Sequence, residues 1–490
     1  MRLKKSLIWS IVIGVLLLIS ILLIGFWLMN KNMSPNEHRN MDMGAEDKVV
    51  TLKEEPDEAP RPLKIPDILE PSTVNDERVV YDIEAKTGES VIKTGEKTKT
   101  LGYNGNYLGP VIRLEKGQKV TFRTKNSLNE ETSFHWHGLV VPAVSDGGPH
   151  QTIPEYSKKE VNFTVKQDAA TLWFHPHPKG NTAKQVYQGL AGLIYIDDEN
   201  QKSKNLPSAY GKNDFPVIIQ DRNFMEDNQF DYANDRNSDG TQGESLVING
   251  TIRPYLDVKY DKIRLRMVNG SNAREYNLAL SNGAKITQIA TDGGLLLKPV
   301  SLTNLKLSPG ERAEIILDFT KVRNKKVALQ DGRATVLRFN VADSLIRTEN
   351  PQQVLNQIDS PMETEDAKVD KITLSGMGHM VAIDGQKFDM NRIDKEVKQG
   401  TEVIWEVTNE GGMMGDMNHP FHIHGTQFQI VSRNGRATMG NERGLKDTVV
   451  IAPNESVKLK IRFNQKGVFM YHCHNLEHEE NGMMAQVKVL

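Results

Sequence analysis

Cysteine is almost absent from this chain of 490 residues: Cys473 stands alone. That excludes an intrachain disulfide, so stability has to come from packing. It also excludes thiolate-rich zinc and iron–sulfur sites, which need several cysteines. Excess charge is missing too. A net charge of −2 and a pI near 6.7 give no electrostatic footprint for nucleic acid. Sustained helical periodicity is lacking from about residue 75 onward, which argues against a helix bundle. No twin-arginine pair precedes the first apolar run, so the general secretory route is the expected export path.

That run, Ser6 to Met29, follows Met1-Arg2-Leu3-Lys4-Lys5. At about 1.5 Å per helical residue it spans a hydrocarbon core, and the basic flank places the rest of the chain outside. Gly25-Phe26-Trp27-Leu28-Met29 offers no small-residue cleavage site, so residues 1–30 read as a membrane anchor in preference to a cleaved signal. The body is expected to be extracytoplasmic. Residues 31–74 are polar, acidic and proline-bearing, and read as a flexible tether with a solvated His38.

The body shows short β-rich runs such as Lys119–Arg123, Val217–Gln220, Ile315–Phe319 and Val457–Phe463, punctuated by Gly, Asn, Asp and Pro. This pattern predicts an all-β protein of Greek-key sandwiches or barrels. A unit of strand then asparagine ends at Asn126, Asn269 and Asn409, about 140 residues apart, the span of one sandwich. Domains are expected at 75–205, 212–345 and 366–490.

Ten of the thirteen histidines fall in four clusters: His135/His137, His175/His177, His419/His422/His424 and His472/His474/His478. Each contains His-X-His. On a strand the two imidazoles share a face about 6.6 Å apart, suited to gripping neighbouring metals. Four pairs supply eight ligands, enough for a three-metal cluster open to a small oxidant. The middle domain has no cluster, which makes it a spacer while its neighbours meet to build the site.

The stretch Tyr471-His472-Cys473-His474 turns Cys473 away from its flanking histidines. Cys473 with His478, Met483 and one distant histidine matches the two-histidine, thiolate and long-methionine set of a blue-copper site. Two metal centres would then lie back to back.

The four clusters, with Ile248-Asn249-Gly250-Thr251, Ser308-Pro309-Gly310-Glu311-Arg312 and His424-Gly425-Thr426-Gln427-Phe428, resemble the multicopper oxidases over about residues 75–490. The bacterial three-domain laccases and cuprous oxidases of copper tolerance are the nearest branch. The resemblance implies three cupredoxin-like domains and four copper ions. His419, Cys473 and His478 would hold the type 1 copper with Met483 axial, Met484 competing. His135 and His422 would hold type 2. His137, His175 and His474 would bind one type 3 copper, and His177, His424 and His472 the other. Electrons would enter near the exposed edge of His478 and cross Cys473, and O2 would be reduced to water. Asp146 and Glu479 stand where the family places proton-relay acids. Asp416 and Met417 resemble its cuprous-substrate pair, with the aspartate one residue out of register. Met377-Gly378-His379-Met380 could add soft ligands, but the long methionine-rich insert is missing, so a more open type 1 site is expected to accept phenols and aromatic amines. His150 reads as a surface histidine. The implied body is monomeric; the rival readings are a general laccase and a copper-binding protein without turnover.

Overall fold

Three buried asparagines explain the repeat. In each case a strand pairs in parallel with an earlier one: Val79–Ala85 with Val120–Asn126, Asp214–Ile219 with Arg264–Asn269, and Val369–Ser375 with Ile404–Glu410. The closing asparagine then donates its side-chain amide to backbone carbonyls of two other segments. Asn126 reaches Glu130, Ile153 and Pro154; Asn269 reaches Arg274 and Leu307; Asn409 reaches Met417 and Ile451, all at 2.7–3.0 Å. Asparagine suits the position because its amide satisfies carbonyls that would otherwise be buried unpaired.

The computed structural model describes residues 50–75, 77–322, 325–359, 361, 369–411 and 417–490. The expected membrane anchor and Asp416 lie outside them. Among the described residues no helix is long and apolar enough to cross a membrane. Thr51 to Leu490 forms one unit, in which the described strands make six sheets. The first pair joins a five-stranded sheet around Val79–Ser90 and Lys119–Asn126 to a three-stranded sheet of Val111–Glu115, Gly192–Asp197 and Ala170–Phe174. The second pairs two six-stranded sheets, one containing Lys262–Asn269 and Arg312–Asp318. The third sets a six-stranded sheet around Glu402–Glu410 against a five-stranded one holding Gly467–Cys473, His419–Ile423 and Thr448–Ile451. Each pair encloses its own apolar core. Alternation builds these cores: Val79, Tyr81, Ile83 and Ala85 point inward while Asp82 points to solvent.

The tether expectation fails from Thr51 onward. Arg61–Pro62 pairs in parallel with Pro254–Tyr255, Leu63 is buried in the middle core, and Leu69 N–H donates to the Val111 carbonyl while Val111 N–H donates to that of Asp67. Arg253 donates from one nitrogen to the carbonyls of Glu55, Pro56 and Glu58. The proline-rich composition hid this docking because it works through backbone groups and one leucine.

Candidate metal centres

Parity on two paired strands separates the centres. His422 faces His472 and Phe421 faces Cys473 across the antiparallel ladder. Odd positions 419 and 473 therefore share one face, and even positions 422, 424, 472 and 474 the other. On the odd face Cys473 Sγ lies 3.6 Å from His419 Nδ1 and 3.7 Å from His478 Nδ1. Met483 is buried in the same apolar cluster as Cys473, whereas Met484 packs with Phe388 and Met470. Burial pushes the Cys473 thiol well above its usual pKa, which a bound metal would reverse by holding the thiolate. His478 is fully buried, which corrects the expectation of an exposed edge. Asn481, three residues on, bonds His379 at 3.0 Å, the Gly378 carbonyl at 3.1 Å and the Ser238 carbonyl at 3.4 Å. The turn Gly378–Met380 and the middle sandwich thus close over this end.

The even face meets the first sandwich, where His135 and His175 exchange backbone bonds of 2.9 and 3.1 Å. The Nε2 atoms of His177 and His424 stand 3.2 and 3.0 Å from that of His472. Neutral imidazole lone pairs repel at that range. Nitrogens bound to one metal at about 2 Å stand roughly 3.3 Å apart in a tetrahedral arrangement, so the trio fits an ion. The rings of His137, His175 and His474 lie 5.0–5.6 Å apart, and those of His135 and His422 are 5.8 Å apart. The Nε2 atoms of His135 and His422 are buried without a hydrogen-bond partner among the described residues. Orphaned imidazole nitrogens and a buried thiol are the donor set copper takes, so the residues fit the group.

Two carboxylates organise the cluster. Asp146 Oδ2 bonds His424 Nδ1 at 2.7 Å and lies 3.5 Å from His135 Nδ1, and those two rings stack at 3.8 Å. Asp447 Oδ1 bonds His137 Nε2 at 3.0 Å and lies 3.6 Å from His422 Nδ1, and that pair stacks at 3.7 Å. Each acid thus clamps one ring from the first sandwich on one from the third. Burial opposes the charge of both. His424 and His135 hold Asp146 well below the usual carboxylate range, and Arg312 and His137 do the same for Asp447. Glu479 lies 3.4 Å from His177 Nδ1 and 3.3 Å from His472 Nδ1, and burial pushes its carboxyl well up, toward the protonated form.

Sequence reasoning missed Asp447, which sits in Leu445-Lys446-Asp447-Thr448 with no histidine nearby in the chain. It also made the middle domain a spacer, yet Arg312 reaches Asp447 with a two-pronged ion pair. His150 bonds Gln486 of the third sandwich and so ties down the loop that carries Asp146. Met417 is half-buried, and its carbonyl accepts from Asn409.

Two multicopper oxidase family models match residues 84–201 and 349–490. A multicopper oxidase, mco, of Staphylococcus haemolyticus (strain JCSC1435) is 44% identical over 86% of this chain and 91% of that protein. The chain belongs to the multicopper oxidases. Among solved structures, a laccase from Pediococcus acidilactici Pa5930 superposes with a TM-score of 0.87 at 42% identity, covering 90% of this chain and 95% of that one. The chain is also similar to the cell division protein FtsP of Escherichia coli (strain K12), 34% identical over 81% of this chain and 86% of that protein. Membership brings four coppers and oxidoreductase activity, and the histidine and cysteine groups above could hold metal ions.

Proposed function

We propose that this multicopper oxidase works outside the cytoplasm and takes single electrons from Cu(I), and also from phenols and aromatic amines, to reduce O2 to water. The observation that carries the reading is Cys473: its thiol belongs to one centre and its chain neighbours His472 and His474 to the other. Copper supplies the redox change. The protein supplies a short covalent path between the centres, a dry site, and protons for the four that each O2 requires. Asp146 and Glu479 are placed for that supply, each within reach of the Nδ1 atoms of two ligand imidazoles. Changing either to its amide should slow turnover several-fold while leaving the blue colour.

Cuprous substrate is favoured by Met417, just before His419, and by Met377 and Met380 on the turn bonded to Asn481, since thioether sulfur prefers Cu(I). A role in copper tolerance follows from that substrate, and the apolar run at residues 6–29 supports an anchored, extracytoplasmic body.

O2 uptake with Cu(I) and with a phenol separates the readings, comparing the parent protein with Asp416→Ala/Met417→Ala. Selective loss of Cu(I) turnover supports the cuprous oxidase. Equal Cu(I) rates reduce the protein to a general laccase. Full copper loading with no O2 uptake from any donor leaves a copper-binding protein without turnover.

A further inference from the structure

We propose that Arg312 is the positioning residue that holds the trinuclear imidazoles in register, so that the middle sandwich, which contributes no ligand, governs copper occupancy of that centre. Arg312 is 1% exposed, and all five of its N–H donors are used. Nε donates to the Thr171 carbonyl at 3.3 Å, Nη1 to the Gly310 carbonyl at 2.9 Å and Asp447 Oδ1 at 2.6 Å, and Nη2 to the Asp292 carbonyl at 3.1 Å and Asp447 Oδ2. Guanidinium is the one side chain whose planar fork can do this.

Each of three partners leads to an imidazole. Thr171 lies on the strand Ala170–Phe174, which runs directly into His175. Asp447 clamps His137 on His422. Gly310 lies flat beneath His474: a Cβ there would fall 2.9–3.0 Å from three atoms of that ring. Arg312 therefore bonds segments from all three sandwiches that set four of the eight cluster ligands. On the neighbouring strand, Arg264 and Arg266 are equally buried, but their partners are Glu314, Asp214 and Gln201, and each leaves Nη1 without a hydrogen bond. Their shared partner Glu314 accepts from the Thr171 hydroxyl at 2.7 Å, so they meet the first sandwich one bond further from an imidazole than Arg312 does, and neither touches Asp447 or Gly310.

The type 1 site provides an internal control, because its ligands face away from Arg312. Copper-loaded Arg312→Lys keeps the charge and loses the fork. The type 2 copper, followed by its electron paramagnetic resonance while a chelator is titrated in, is expected to bind about 10–100-fold more weakly, the usual cost of removing a partner behind a metal ligand. The blue absorbance per chain stays at the parental value. Arg266→Lys serves as the stability control: it lowers the unfolding temperature and leaves type 2 affinity unchanged.

If Arg312→Lys does not fold, Arg312→Met/Asp447→Asn removes the buried charge pair together, a replacement that buried pairs often tolerate. It is expected to restore folding and the blue site while type 2 affinity stays low. Parental type 2 affinity in the variant that folds overturns the proposal. So does loss of type 1 and type 2 copper in equal proportion, which would make Arg312 a structural residue only.

Discussion

Replacing Asp447 by asparagine removes one charge from a buried network and leaves its shape. Arg312 pairs with Asp447 through both oxygens, and Lys446 lies 2.9 Å from both Asp292 and Glu311 in the same cluster. All five groups are buried. The variant breaks the ion pair and the charge-assisted bond to His137, and it turns an amide N–H toward a guanidinium that can only donate. Breaking one side of a buried pair typically costs about 3–5 kcal/mol. The lower part of that range is expected here, because Asp292 can take over part of the compensation. Its carboxyl is held up by burial and, in part, by repulsion from Asp447, and that repulsion disappears in the variant. Guanidinium unfolding of the copper-free protein measures the cost without metal linkage, provided the slopes agree. Asp168→Asn is the matched control. Its pair with Lys116 is 48% exposed on both sides, so about 0–1 kcal/mol is expected. If the two variants differ by less than about 1 kcal/mol, the assignment of Asp447 as a charged clamp is wrong.

Three further outcomes follow from the geometry. Cys473→Ser should abolish the blue absorbance and retain the other three coppers, because Sγ sits with His419 and His478, away from the even-face imidazoles; copper analysis with resonance spectra decides, and proportional loss of all copper contradicts it. Gly138→Ala should be poorly tolerated, since φ is +93° and its Cβ would sit 2.7–2.8 Å from Arg312, Asp447 and Leu172; strain of about 1–3 kcal/mol is expected, read as a lower unfolding temperature with weaker type 2 binding. A chain beginning at residue 51 should match the full body in thermal unfolding, whereas one beginning at 75 loses the Arg61–Pro62 pairing and the buried Leu63. Leu63 alone accounts for about 1.5–3 kcal/mol, and equal unfolding temperatures would restore the tether reading.

The histidine ligands were legible in the sequence because their chemistry coincides with strand parity: His-X-His puts two imidazoles on one face, and His-Cys-His splits three ligands between two faces. Strand propensity and the spaced asparagines gave the architecture for the same reason, since both are local patterns. Asp447 and Arg312 were not legible in their roles. Their meaning lies in contacts across 135 residues of chain: Ser308–Arg312 marked the family without giving Arg312 a role, and nothing local marks Asp447. Burial of His478 likewise depends on loops from two sandwiches meeting at Asn481, which no window of sequence displays.

Coupling of a thiolate copper site to an oxygen-reducing cluster within one chain is what the geometry requires of this protein. It is tested most directly by reconstituting the protein with copper, counting the metal, and measuring donor oxidised against O2 consumed with a peroxide trap present. Four coppers per chain, about four one-electron donors per O2 and no released peroxide are expected. A blue protein that consumes no O2, or one that releases hydrogen peroxide at about two donors per O2, would contradict the account.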